Sequence, residues 1–232
     1  MPTDVLTGVL LIAVPVLFNV AFIELGRAFE YPAILRKEPA EILSRFSAGG
    51  PGLLVRWELL LLSALGMLPV AVLLAVVLGA SPALGALSAT VGVVAALVQA
   101  LGLVRWPFAV PELARRFAAA PPGPSGDAER RAVEVTFATL HRLLGVGIGE
   151  HLGYLMTGLW TLLVAASILS TDVLPPWLGI VGIPIGLAVM VGVLEFAGPN
   201  ERDGWPLAGT IVPIAYIAWS VWLVALGVFL LL

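Results

Sequence analysis

LLVRWELLLLSALGMLPVAVLLAVVL, Leu53 to Leu78, carries charge only at Arg56 and Glu58, both near its start. As an α-helix it extends roughly 39 Å, more than the ~30 Å hydrocarbon core of a bilayer. A soluble helix of this length needs a polar face, and this one has none. Pro51 precedes the run and Gly79-Ala80-Ser81-Pro82 follows it, so both ends are punctuated. Outward from it lie five comparable apolar runs, near Val5–Leu25, Leu84–Trp106, Leu143–Leu169, Trp177–Ala197 and Leu207–Leu232. The expectation is an all-α fold: one transmembrane domain, a polytopic bundle of six transmembrane helices. Pro69, Pro184 and Pro213 fall inside spans and are expected to kink them.

Composition agrees. Of 232 residues, 60% are hydrophobic and 12% charged, against roughly half and about a quarter in soluble domains. The absence of cysteine excludes disulfides, thiolate metal sites and thiol catalysis. A net charge of −3, with no basic run interleaved with aromatics, excludes a nucleic-acid partner. The first apolar run follows Met1-Pro2-Thr3-Asp4 with no basic stretch before it, so it is expected to be a retained helix rather than a cleaved signal.

The 12 Lys and Arg residues give the orientation. Arg27, Arg36, Lys37, Arg45 and Arg56 fall in or beside the first connection. Arg105, Arg115, Arg116, Arg130, Arg131 and Arg142 fall in or beside the third, and Arg202 in the fifth. The even-numbered connections have none, so the expected topology is N-out and C-out. The outer turns are short and the inner connections long. Residues 30–50 form an inner loop in which Ile42, Leu43 and Phe46 recur at helical spacing after Pro39, which reads as an amphipathic helix at the headgroups. Residues 118–126 (AAAPPGPSG) read as a flexible linker. From 127 to 142 Val133, Phe137 and Leu140 mark a helical extension of the fourth span, projecting into the cytoplasm or bending at the interface. Trp106, Trp177 and Trp205 read as interfacial anchors, and Trp219 and Trp222 as lipid-facing or core aromatics.

No charged residue occupies the outer half of any span. Ionisable groups in a bilayer are costly unless paired or hydrated. Asn19, Glu24 and Arg27 mark the inner part of span one, Arg56 and Glu58 the start of span two, Gln99 and Arg105 span three, and Glu195 the end of span five. Deepest are Glu150 and His151, roughly 10–12 Å past the inner interface. Gly145, Gly149 and Gly153 form a small-residue ridge for close helix packing, with Gly182 and Gly186 as a matching surface. Glu150, Tyr154, Thr157 and Thr161 share a helical face. The plainer reading of Glu24, Arg27, Arg56, Glu58, Arg105 and Glu195 is that they pair among themselves near the interface.

No cofactor is expected. Bis-histidine haem within one chain is disfavoured, because His141 and His151 lie on one helix about 15 Å apart. A divalent metal on His151 and Glu150, with carboxylates from other helices, is the metal reading these residues allow; their spacing is not that of a zinc motif.

Phe29-Glu30-Tyr31-Pro32-Ala33-Ile34-Leu35-Arg36, with Glu41-Ile42-Leu43-Ser44-Arg45-Phe46 and Gly49-Gly50, resembles the uncharacterised membrane-protein family DUF4386. His141-Arg142-Leu143-Leu144-Gly145 and Gly149-Glu150-His151-Leu152-Gly153-Tyr154 look like part of the same pattern. The resemblance implies a multi-pass protein of the bacterial cytoplasmic membrane and brings no assigned chemistry.

Three functions follow from the polar set. One is binding or transport of a lipid or small ligand at Glu150, His151, Tyr154 and Thr157, with Asn19, Glu24, Glu58, Arg105 and Glu195 around it. Another is an enzyme acting on a lipidic or isoprenoid substrate, with Glu150 as general acid, His151 and Tyr154 as further catalytic candidates, and Trp57 and Trp160 lining the site. The last is a structural subunit or assembly factor. Membrane lipids are the expected partners, together with a second copy or a complex partner docking on the Gly145/Gly149/Gly153 face.

Overall fold

The structure is a computed structural model that describes residues 1–201 and 203–232. Arg202, assigned above to the fifth connection, lies outside them. The chain is an all-helical integral membrane protein with six helical runs long and apolar enough to cross a bilayer: Thr3–Phe29, Pro39–Leu78, Pro82–Ala119, Pro124–Leu169, Pro176–Leu194 and Pro206–Leu231. By element these are α1 (Thr3–Phe29), α2 (Pro39–Leu78), α3 (Pro82–Leu103) continued by α4 (Arg105–Ala119), α5 (Pro124–Leu140) continued through a π-helical segment (His141–Leu152) into α6 (Gly153–Leu169), α7 (Pro176–Met190) and α8 (Pro206–Leu231).

Proline starts most of these helices because the first turn has no use for its missing N–H. Pro39, Pro82, Pro124, Pro176 and Pro206 are each the first helical residue. Ser81 caps α3 by accepting from the Leu84 N–H. Within α2 the backbone departs from the helix at Gly50 (φ 59°, ψ −162°). That conformation suits glycine, and it turns the amphipathic stretch after Pro39 away from the span proper.

Apolar packing divides into two main bodies. At the outer end Leu11, Leu74, Trp160, Leu178, Trp222 and Leu226 form one core. At the charged end Phe29, Ile42, Leu43, Phe46, Trp57, Trp106 and Phe137 form the other. Its centre is a stack of Trp57 on Trp106, with centroids 4.2 Å apart and planes within 6°. Phe29 and Phe137 meet Trp106 edge-on at 5.7 and 6.3 Å.

This inner core changes several expectations. Trp106 is not an interfacial anchor: it is 0% exposed. Ile42, Leu43 and Phe46 are covered by protein rather than laid into headgroups. Val133 and Phe137 are likewise buried in this core, so the extension of the fourth span lies against α4 instead of standing free. An apolar stripe on a helix needs a cover, and here Trp106 and its neighbours supply it. The expected flexible linker is a tight turn between α4 and α5, where Arg130 donates to Ala120 O at 2.9 Å and to Asp127 Oδ1 at 2.8 Å. Trp219 and Trp222 are core residues, donating to Thr161 Oγ1 and Leu178 O at 2.9 Å each.

The glycine ridge packs, but within the chain. Gly149 faces Gly102 of α3 so closely that a Cβ on Gly102 would lie 2.5 Å from the Gly149 Cα. Gly145 faces Arg105 and Gly153 faces Gln99. The partners of Gly182 and Gly186 are different: Ala165 and Gly158 of α6. The ridge on the fourth span and the pair on the fifth therefore belong to separate interfaces.

At the exit of α1, Glu30 adopts a left-handed conformation (φ 56°) and closes the helix through its N–H to Gly26 O. Its carboxylate meets Arg45 at 2.5 Å and Lys37 at 2.9 Å, and Glu41 joins the same cluster. The hydrogen bond from Arg45, then that from Lys37, hold the Glu30 carboxyl down from 4.5 to about 2. A depressed folded-state pKa contributes stability that is full above the ordinary value and lost as pH falls through the depressed one. Thermal melts of the wild type are therefore expected to drop more between pH 5 and about pH 2 than those of Glu30→Gln. Parallel melting curves would contradict the role given to this cluster.

Candidate ligand cavity at the charged end

The end of the bundle that carries the basic residues holds a cavity of about 540 Å³. Its size falls within the ~300–1,000 Å³ of small-molecule sites. The wall is largely apolar, built from Phe18, Phe22 and Ile23 of α1, Leu60 of α2, Leu103 of α3 and Val212, Pro213 and Ile217 of α8. Its polar lining gathers Asn19, Tyr31, Arg36, Gln99, Arg105, Glu150, Tyr154, Glu195 and Tyr216.

Two walls of the cavity, α1 and α8, also pack on each other: the rings of Phe18 and Tyr216 lie 6.1 Å apart. α1 and α8 touch at the outer end, where Gly8 lies against Leu231 and the Gly227 carbonyl. Toward the charged end the facing residues are cavity-lining ones. Ile23 of α1 and Ile217 of α8 line the cavity and are also 51% and 60% exposed, so cavity-lining side chains reach the surface on both helices.

The polar floor is held by three devices. The π-helical segment His141–Leu152 brings Gly145, Gly149 and Glu150 to the cavity; such winding is rare and often marks functional positions. The short 3₁₀ turn Ala33–Arg36 after α1 carries Arg36 across the bundle. There its guanidinium reaches Glu150 Oε2 at 3.1 Å and Glu195 Oε1 at 3.3 Å, and lies over the Phe196 ring at 4.4 Å. Arg105, at the start of α4, is 5% exposed, donates to Gly102 O, and has His141 Nδ1 at 3.4 Å.

Of the residues proposed from sequence, Asn19, Arg105, Glu150, Tyr154 and Glu195 line one cavity. Thr157 stands just behind it, accepting from Gln99 Nε2 at 2.6 Å. His151 is turned the other way, its Nδ1 3.0 Å from Val193 O, because adjacent positions on a helix face different directions. Glu24 is occupied by Arg27 at 3.1 Å and Arg56 at 3.5 Å, and neither Glu24 nor Glu58 is part of the lining. Trp57 and Trp160 are inside the two cores; the aromatic lining is Phe18, Phe22, Tyr31, Trp106, Tyr154 and Tyr216. Among the described residues no three His, Asp or Glu side chains converge as a metal site.

Sequence reasoning missed Arg36, Tyr31 and Tyr216. Arg36 read only as one of the basic residues of the first connection. The signal for it was the presence of two buried acids, Glu150 and Glu195, with no cation on their own helices at the same depth. Tyr31 and Tyr216 gave no such signal.

The architecture is that of a multi-pass membrane protein with a one-sided polar cavity. The chain belongs to the family described as domain of unknown function (DUF4386), which matches residues 6–232. No curated protein and no solved structure matches it.

Proposed function

We propose that the protein binds an amphipathic molecule from the inner leaflet, as a lipid-binding or transport protein. The observation that carries this reading is an apolar cavity with a charged floor, two of whose lining residues, Ile23 of α1 and Ile217 of α8, are also exposed on the surface of the bundle. A ligand bound there would place its chain along Phe18, Phe22, Ile217 and Val212 and its polar end near Arg36, Arg105 and Glu150. Burial of the chain supplies about 0.8 kcal/mol per methylene relative to water, though a lipid already in the bilayer gains far less. Selectivity is therefore assigned to the polar end.

Lipids and small molecules that copurify from membranes will differ between the wild type and Glu150→Gln. Removing the charge breaks the link between Arg36 and the π-helical segment, and the enriched amphiphile is expected to fall several-fold. Identical lipid profiles by mass spectrometry, with both proteins folded, would overturn the assignment.

A further inference from the structure

Arg105 is the most deeply buried cation among the described residues, and its charge has no carboxylate within 4.0 Å there. Its protein contacts are neutral: the Gly102 carbonyl, the His141 ring and the Trp106 face at 5.1 Å. Its Nε has no acceptor. The two acids on the same floor are engaged elsewhere, since Glu150 and Glu195 both reach Arg36. That ion triad lies at the wetter end of the floor, where the Arg36 side chain is 40% exposed. A buried guanidinium without an anion is costly, and it is retained where an anion is to be met.

The surroundings suit that purpose. Gly145 lets the guanidinium lie flat on the π-helical segment; a Cβ there would stand 2.6 Å from Arg105 Nη2. The hydroxyls of Tyr31 and Tyr154 make no hydrogen bond to protein among the described residues, and both rings line the cavity. Burial pushes the Tyr31 phenol up to about 12, so it stays a donor at any physiological pH. A cation and two donors thus line one largely apolar chamber.

We propose that the ligand is an anionic amphiphile whose acidic group, carboxylate or phosphate, is bound by Arg105 with Tyr31 and Tyr154 while its chain lies between α1 and α8. This rests on the cavity being a ligand site and adds the chemistry of its occupant. Bidentate geometry of guanidinium with either oxyacid makes the two sources equivalent at the protein.

The test uses purified full-length protein in a neutral maltoside detergent. The probes are a dansyl-labelled undecanoic acid and the methyl ester of the same compound. The acid is expected to bind at least about tenfold more tightly than the ester, the worth of a charge-assisted contact. Arg105→Gln is expected to erase that preference, and Tyr31→Phe, which keeps the ring packing, to reduce it. Competition by palmitate alone assigns a free carboxylate as the ligand; competition by dipalmitoylphosphatidylglycerol assigns a phosphate headgroup. Equal binding of acid and ester to the wild type overturns the anionic assignment and leaves the cavity reading intact. No binding of either probe overturns both. If Arg105→Gln does not fold, the acid-over-ester preference of the wild type and its reduction in Tyr31→Phe decide the matter. An unchanged preference in Tyr31→Phe then counts against the site.

Discussion

Trp106→Ala will lower the unfolding free energy by about 3–5 kcal/mol, the range for deleting a fully buried large aromatic. Trp106 is 0% exposed, stacks on Trp57 at 4.2 Å, and meets Phe29, Phe46, Phe137 and His141 as well. No single neighbour can collapse into that volume, because the five are held by four different elements: α1, α2, α5 and the π-helical segment. Offset aromatic pairs add about 0.5–1.5 kcal/mol each beyond area, so Trp106→Phe should recover only part of the loss. Trp106 also forms part of the cavity wall, and the alanine variant should therefore lose ligand together with stability. Unfolding in mixed micelles of dodecyl maltoside and SDS measures the effect. A loss below about 1 kcal/mol would mean that the inner core is not organised around this stack.

Gly149→Leu is expected to be nearly as damaging by the opposite route. Added volume in a packed interior costs about 1–3 kcal/mol, and more where the obstacle is backbone. Here the obstacle is backbone, since a Cβ on Gly149 would stand 3.0 Å from the Gly102 Cα and 3.2 Å from Leu144 O. α3 must move off the π-helical segment to admit the side chain. Because Arg105 follows α3 directly and rests on Gly145, that shift also displaces the cation from the cavity floor. Gly147→Ala is the matched control: its Cβ would meet only Arg142 O, at 3.6 Å, an ordinary contact. The leucine variant should unfold earlier in SDS and bind ligand weakly, with the alanine variant near wild type. Equal behaviour of the two would place the helix contact elsewhere.

The membrane fold was legible in sequence for a physical reason. Runs such as Leu53–Leu78 have no polar face, and nothing but a bilayer solvates them. The site was legible in part. Asn19, Arg105, Glu150, Tyr154 and Glu195 stood out because polar atoms at those depths need partners, and depth along a span can be counted. What depth cannot supply is azimuth. His151 follows Glu150 in sequence and points away from the cavity, toward Val193 O. The π winding of residues 141–152 was invisible to a 3.6-residue count, and the glycine ridge was matched to the fifth span although it packs on Gln99, Gly102 and Arg105 of the third. Arg36 was hidden for another reason. It lies on a loop, and the reach of a loop across a bundle is set by tertiary packing rather than by periodicity. The tryptophans misled in the same way, because Trp106 sits at a span end by sequence and at the centre of a core in space.

We place an amphiphile in the cavity lined by α1 and α8. Native mass spectrometry after exhaustive delipidation in detergent, comparing Asn19→Trp with Val20→Trp, tests this placement most directly. Asn19 lines the cavity, whereas its neighbour Val20 is 51% exposed on the outside of α1. One retained amphiphile per chain is expected in the wild type and in Val20→Trp, and none in Asn19→Trp, where the indole intrudes into the chamber. Retention in Asn19→Trp equal to wild type, or a wild-type protein that carries no amphiphile, would contradict the placement.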